Sequence, residues 1–588
     1  MSAFADFLII FGSQAPAPPV RRSEYPWRPA GIPSDTWNAS IAAPSGSPLA
    51  QTREVGPWSV WLFGELTRYD ALSAPADRLG AFVLDLRAGR ERAALLDGHF
   101  VLFGFNADRR EWHVWTNRFA TMHAYVGVGA RRSALGTFHP AVSAAVGATK
   151  LDWSGLSGFF SMGFFPEDRT HYERVRILRP ATHYVFSDQC ALISSTRYWQ
   201  WSHSAERTPG FEFVVEQFGE ALSQVLSEET AGNRTGVPIS GGLDSRTVTA
   251  MLTDEPRTDL WLFSYGFGSR SVETRIARTV AKSRKLPCAS FEIRDYLFDR
   301  LDDILAATEG FTDVTLTRQV SVAEELVANA DTVVAAHWGD VWLDDSGAAE
   351  HGHRAETDTD FAAAKMMKGG RTWLLDHLCS PQLGTDPERE VREGIARELA
   401  HVSHIEDRDF RIKALKTDTW SFRWTTVGLR AYQLALFPKL PFYDARMADF
   451  FCTIPTDYVR GRRLEVAWLT RFAPDLARIT WQAHDANLYL YQYANSLLLP
   501  QRAINRIMRL IRRERVIERN WEVQFLSLTG RDGLKRVLLR HDAKVNEFVS
   551  PAAIRELLDN FFSNPYDANR GYTVSMLLTF AAWLERYA

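Results

Sequence analysis

Six consecutive residues concentrate the chemistry of this chain: Ser240-Gly-Gly-Leu-Asp-Ser245, between the strand-like run Val237-Pro-Ile239 and a helical pattern. The adjacent Gly241 and Gly242 let the backbone turn sharply and bring its N–H groups close to an anion. A helix starting near Ser245 adds its positive end, which favours a phosphate chain. Ser240 and Ser245 can donate hydroxyl hydrogen bonds to phosphate oxygens, and Asp244 offers the hard carboxylate oxygen that Mg²⁺ prefers. No Lys follows, so this is not a Walker A loop. A structural Gly-Gly turn is the plain alternative. Five fixed residues at this spacing, between a strand and a helix, favour the nucleotide.

The elements that must position this loop follow from the apolar period. Phe211 to Thr230 repeats at helical spacing through Val214, Phe218, Leu222 and Val225. Leu260 to Ser264 reads as a second strand and Val272 to Lys285 as the helix after it. Strands alternating with helices imply a parallel sheet with crossover connections, and beyond about 360 the chain looks mostly helical. Earlier, Ser59 to Phe63, His99 to Phe105 and Trp112 to Thr116 are short aromatic and β-branched runs parted by turn residues such as Asn106 to Arg110. Residues 15 to 57, rich in Pro, Ser and Gly, look loop-like. The expected class is α/β, a β-rich unit at 1–205 followed by an α/β unit at 206–588.

The chain has 588 residues, 46% hydrophobic and 24% charged, with 68 basic against 71 acidic residues and a net charge of −3. Such a balance gathers no polyanions and disfavours a nucleic-acid partner. Cys190, Cys288, Cys379 and Cys452 lie far apart, which fits neither a disulfide framework nor a zinc site and suggests a reduced, cytoplasmic setting. The first residues lack the pattern of a signal peptide, and no apolar stretch of about 18 residues predicts a membrane span. Arg502 to Arg519 holds seven arginines among Ile504, Ile507, Met508 and Ile511, an amphipathic helix with a solvated basic face or a face for acidic substrate or phosphate.

The Ser240–Ser245 loop resembles the pyrophosphate-binding loop of the ATP pyrophosphatases, and its surroundings resemble the asparagine synthetase-like enzymes. Leu262 to Gly268 is similar to that family's second strand, whose backbone near Tyr265 would meet adenine. Glu273 and its helix look like the next element. Ala336-His-Trp-Gly-Asp340 falls where the family has a second loop ending in a metal-binding aspartate. Phe437 to Asp444, with Arg423 upstream, is similar to the family's R-x-P-F-L-D stretch. Phe63-Gly-Glu65, Leu96 to Phe100, Thr116 to Tyr125, Ile177 to Pro180 and Arg197-Tyr-Trp199 resemble its glutaminase half. The first loop is specific; the others convince by occurring in the right order. The resemblance implies a degenerate Ntn-type sandwich before an adenylating domain. It also implies ATP and Mg²⁺ as ligands. Ile239, Ser240, Gly241, Gly242, Asp244, Ser245, Tyr265 and Gly339 would lie on the nucleotide, and Asp244 and Asp340 on the metal.

Two departures matter. The family's glutaminase uses an N-terminal cysteine, but here position 2 is Ser2 and the first cysteine is Cys190. The family's catalytic lysine follows a Pro-x-x-Ile segment, and the matching stretch, Pro474 to His484, places Ala483 there with His484 beside it. Either His484 or a nearby Arg takes the catalytic role, or the match is displaced, or that electrostatic help is dispensed with. The family's catalytic Glu or Tyr falls at His337, where a histidine could be a general base for an amine. A packed loop histidine is an equally good reading.

Family members without the cysteine use an amine already on the substrate and close a ring, as β-lactam synthetases and lasso-peptide cyclases do. General likeness favours the lasso-peptide cyclases. The expected partners are then a precursor peptide bearing both carboxylate and amine, and a companion leader peptidase. An ammonia-dependent or β-lactam synthetase-like enzyme on a small molecule, a thiolase-type tRNA modifier and a peptide-binding pseudoenzyme are the alternatives.

Overall fold

The computed structural model describes residues 2–12, 16–31, 34–69, 77–205, 210–253, 259–268, 271–348, 357–493 and 519–588. The basic stretch from Arg502 lies outside the described residues except for Arg519.

Two six-stranded antiparallel sheets form the first third. Asp6–Phe11 lies inside the first, between Trp37–Ala42 and Ser133–Gly136. The second sheet runs from Leu192–Arg197 through Thr182–Ser187, Glu111–Thr116, Asp97–Asn106 and Trp58–Arg68 to Ala50–Val55. Alternating side chains bury one face of each sheet against the other. Phe7 accordingly stacks on Trp61 and Phe63, with ring centroids 5.4 and 5.1 Å apart. The loop-like reading of residues 15 to 57 needs correction. Trp37–Ala42 and Ala50–Val55 are strands, because Trp37-Asn-Ala-Ser-Ile-Ala42 pairs along Asp6–Phe11 and that pairing outweighs local turn propensity.

The parallel sheet comes later. Its strand order is Cys288–Glu292, Leu260–Gly266, Thr235–Pro238, Thr332–Val334 and Pro438–Lys439, all parallel. Helix Phe211–Thr230 spans the predicted range and buries Val214, Phe218, Leu222 and Val225 in the core cluster that also holds Val237, Leu262 and Val333 of this sheet. After Trp342 the described elements are almost all helical, from Asp358–Met366 to Ala568–Tyr587, the strand Pro438–Lys439 excepted. Among the described residues, no helix is long and apolar enough to cross a membrane.

The sandwich and the later residues share a core. Leu8, Tyr125 and Phe159 pack in one cluster with Ile304, Phe311 and Trp583. Glu309, fully buried, sits across this seam. It pairs with Arg22 and Arg430 and accepts the His139 N–H at 2.6 Å. Arg118 with Asp449, Arg179 with Glu398 and Lys439 with Glu65 add further ties. Arg423 belongs to this seam as well, donating to the Arg169 carbonyl at 2.6 Å from a fully buried position.

Candidate active site

In the parallel sheet, Thr235–Pro238 and Thr332–Val334 are neighbours whose connections leave in opposite directions along the sheet. Such a switch point opens a crevice at the carboxyl ends of the strands. Both expected loops rise there. Residues 239–243 follow the first strand and lead into helix Asp244–Leu252; residues 335–338 follow the second and lead into Gly339–Trp342.

The loops touch through Gly339. A Cβ on Gly339 would lie 3.0 Å from Asp244 Oδ1 and 2.8 Å from the Phe442 ring. Gly241 is constrained from the other side, where a Cβ would meet Gln482 Oε1 at 1.9 Å. The Gln482 N–H donates to the Gly241 carbonyl at 3.2 Å, so the turn 481–486 covers the loop. Trp338, just before Gly339, holds φ 74°, a costly left-handed conformation for a bulky residue.

Inside the first loop, the hydroxyls of Ser240 and Ser245 lie 3.2 Å apart. Ser245 Oγ accepts the Ser240 N–H and Ser240 Oγ accepts the Gly242 N–H, each at 3.1 Å. Ile239 is buried, and its N–H donates to the Phe263 carbonyl at 2.8 Å, which anchors the strand and leaves that amide unavailable to a phosphate. The loop is thus held in shape by bonds that a phosphate chain would partly replace.

Asp244 pairs with Arg462, a residue that sequence reasoning missed. Arg462 follows Gly461, and both lie in the left-handed region, at φ 65° and 63°. The Gly461 N–H donates to Asp344 at 2.8 Å, which pins this turn under the second loop. Arg462 also grips buried Glu465, which accepts the Thr247 hydroxyl at 2.8 Å. Burial, with Glu465 and Asp340 nearby, holds the Asp244 carboxyl well above the usual carboxylate range, against the pull of Arg462. Two carboxylates that repel one another across adjacent loops fit a divalent cation. Among the described residues no group of three or more His, Cys, Asp or Glu could hold a metal ion. Asp244 and Asp340 would therefore supply two oxygens, leaving the rest of the shell to phosphate and water.

His337 and Tyr265 line a cavity of about 480 Å³ beside these loops. The His337 ring opens to this recess, yet enclosure by the protein pushes its pKa down to about 4, while Asp340 pulls the other way. The neutral imidazole, the form that accepts a proton, prevails around neutral pH. The Tyr265 hydroxyl lies 3.2 Å from that of Tyr432. His484 does not line the cavity. It is half-buried on the turn over Gly241, its ring 4.3 Å from that of Trp481. Lys416 was not foreseen either. It stands over the Trp338 and Trp420 rings, 5.8 and 5.5 Å from their centroids, and within electrostatic reach of Asp340. Burial lowers its pKa and Asp340 partly restores it.

Both loops, Tyr265 and His337 fall inside one recognisable segment. Residues 217–349 match the asparagine synthase family model. The asparagine synthase segment excludes Arg462, Lys416 and His484, which reach the loops from later in the chain. No curated protein matches the chain significantly in sequence. Several solved structures show weak likeness, two enzymes among them. One is an allosteric regulatory enzyme of purine biosynthesis, at 12% identity over 44% of this chain and 68% of that one, with a TM-score of 0.20. The other is a glutamine phosphoribosylpyrophosphate amidotransferase from B. subtilis complexed with ADP and GMP, at 10% identity over 46% and 78%, with a TM-score of 0.19. At such scores the likeness says nothing of what this chain does.

Proposed function

We propose that this chain is an ATP-dependent amide-forming ligase that adenylates a substrate carboxylate and couples it to an amine of the same peptide, closing a macrolactam. The observation that carries the ligase reading is the contact of the Asp244 loop with the Gly339–Asp340 loop at the switch point, within the segment that matches the asparagine synthase family.

In this reading Ser240, Gly241, Gly242 and Ser245 cradle the β- and γ-phosphates of ATP, and Tyr265 lies near adenine. Asp244 and Asp340 would hold Mg²⁺, which neutralises phosphate charge when bound. The substrate carboxylate attacks the α-phosphorus; the bond to the bridging oxygen breaks and pyrophosphate leaves. The amine nitrogen then attacks the acyl carbon, the bond to AMP breaks, and neutral His337 takes the amine's proton. Positioning and charge neutralisation supply most of the acceleration. Lys416, beside Asp340, supplies positive charge in place of the family's lysine.

The macrolactam is supported by elimination: no cysteine precedes Cys190, and a tethered amine needs no ammonia supply. Residues 1–205 then serve as a structural partner, with the Ser2 hydroxyl donating to Glu24 at 3.0 Å. A cytoplasmic peptidase would free the amine. The second reading, a small-molecule amide, is favoured by the modest cavity volume. Mass spectrometry of an acidic precursor-type peptide with ATP, Mg²⁺ and peptidase separates the two. Loss of one water, abolished by Asp244→Asn, supports the macrolactam; asparagine formed from free aspartate and ammonium contradicts it.

A further inference from the structure

Arg246 stands two places after Asp244 on helix Asp244–Leu252, and it is fully buried. Its Nη1 donates to the carbonyls of Leu476 and Ile479 at 3.2 and 2.9 Å, and its Nη2 to that of Thr480 at 2.8 Å. These carbonyls lie at the end of the short helix Pro474–Ala477 and just beyond it, where a cation is favoured. Three backbone oxygens thus hold a buried guanidinium, and its Nε stays without a partner. Such burial costs stability, and what it secures is the attachment of residues 476–480 to the helix that carries the phosphate loop.

That attachment carries the turn 481–486. Trp481 and Ala486 bridge one another, and the Trp481 N–H donates to the Ala486 carbonyl at 2.7 Å. From this turn the Gln482 N–H reaches the Gly241 carbonyl at 3.2 Å. The Gln482 side chain lies along Gly241 as well. A Cβ on Gly241 would stand 1.9 Å from Gln482 Oε1, 2.7 Å from its Cβ and 2.8 Å from its Cδ, so only glycine leaves room. Gly241 is buried beneath, whereas Gln482 is exposed, and its carboxamide makes no hydrogen bond to protein among the described residues. Turning a carboxamide over presents its NH₂ in place of its oxygen without moving the stem. Residues 480–486, Thr-Trp-Gln-Ala-His-Asp-Ala, include no Lys or Arg.

We infer that the Gln482 carboxamide is a phosphate-binding group that completes the Ser240–Ser245 loop, and that Arg246 is the residue that positions it. The inference rests on the phosphate reading of that loop. The Gln482 NH₂ donates to a phosphate oxygen over Gly241, beside the hydroxyls of Ser240 and Ser245. A neutral donor at this place grips pyrophosphate less tightly than a cation would, which favours departure of that product once the adenylate has formed.

Calorimetric titration of the full chain with pyrophosphate and Mg²⁺ tests this without any turnover. Affinity should follow the charge at position 482. Gln482→Lys should bind more tightly than the unsubstituted chain, Gln482→Leu about tenfold more weakly, as one lost hydrogen bond to a charged group implies, and Gln482→Glu more weakly again. The side chain is exposed, so these variants keep the fold. Arg246→Lys, which cannot serve all three carbonyls, should weaken binding about fivefold. The double variant Arg246→Lys with Gln482→Leu should bind no worse than Gln482→Leu alone. A side chain that only packs on Gly241 would make the Lys, Leu and Glu substitutions alike in effect, and that result overturns the inference. Losses that add in the double variant overturn the positioning role of Arg246. No binding of pyrophosphate by the unsubstituted chain would instead overturn the phosphate reading of the loop.

Discussion

The Cα of Gly339 packs against the carboxylate of Asp244, so closely that a Cβ there would stand 3.0 Å from Oδ1. Two loops that are 95 residues apart in sequence are thereby held in contact. Gly339→Ala should displace the Asp244 carboxylate or the Phe442 ring by several tenths of an ångström. We expect turnover to fall about 100-fold, since small misplacements at a reacting centre cost that much. Pyrophosphate release reads the loss, and circular dichroism should show an unchanged fold.

Much of this arrangement was legible in the sequence and part was not. Ser240–Ser245 could be read because fixed residue types at fixed spacing report a local backbone shape. The helix Phe211–Thr230 and the strand Leu260–Gly266 could be read from period alone. Trp37–Ala42 could not, because its partner strand, not its composition, makes it extended. Arg462 and Lys416 were illegible for another reason. In sequence, Arg460-Gly-Arg-Arg463 and Lys413 to Lys416 are surface-like basic runs, and only the fold carries them to Asp244 and Asp340. His484, beside the lysine position, sits on the turn that contributes Gln482 over Gly241, and its ring packs on Trp481.

The seam between the sandwich and the later residues should depend on one carboxylate. Glu309→Gln would leave Arg22 and Arg430, both almost fully buried, without their shared counter-ion. Breaking a buried pair on one side costs about 3–5 kcal/mol. Urea unfolding of the variant should show that loss; a change under about 1 kcal/mol would mean that Asp6 suffices for Arg22 and the seam is held by packing.

Acid should destabilise the protein earlier than its carboxylates alone would. His113 and His139 are pushed down by burial to about 3, His183 to about 4, and burial takes His123 and His171 well below 6.5. These groups are neutral when folded and take up protons on unfolding once the pH drops below about 6.5. Their contribution is fully present above that pH and is lost as pH falls toward the folded values. Each can contribute up to about 1.4 kcal/mol per pH unit in that window. Urea midpoints measured from pH 7 to pH 5 should fall, and His139→Gln should flatten the slope by about one proton.

In the proposed reaction the substrate's own carboxylate attacks the α-phosphorus of ATP. Incubating the full chain with ATP, Mg²⁺ and an acidic peptide labelled with ¹⁸O in its carboxylate tests that bond directly. We expect AMP carrying one ¹⁸O from the peptide, formed together with unlabelled pyrophosphate, and no labelled AMP from Asp244→Asn. Formation of ADP with ¹⁸O in inorganic phosphate would contradict it, because the carboxylate would then have attacked the γ-phosphorus.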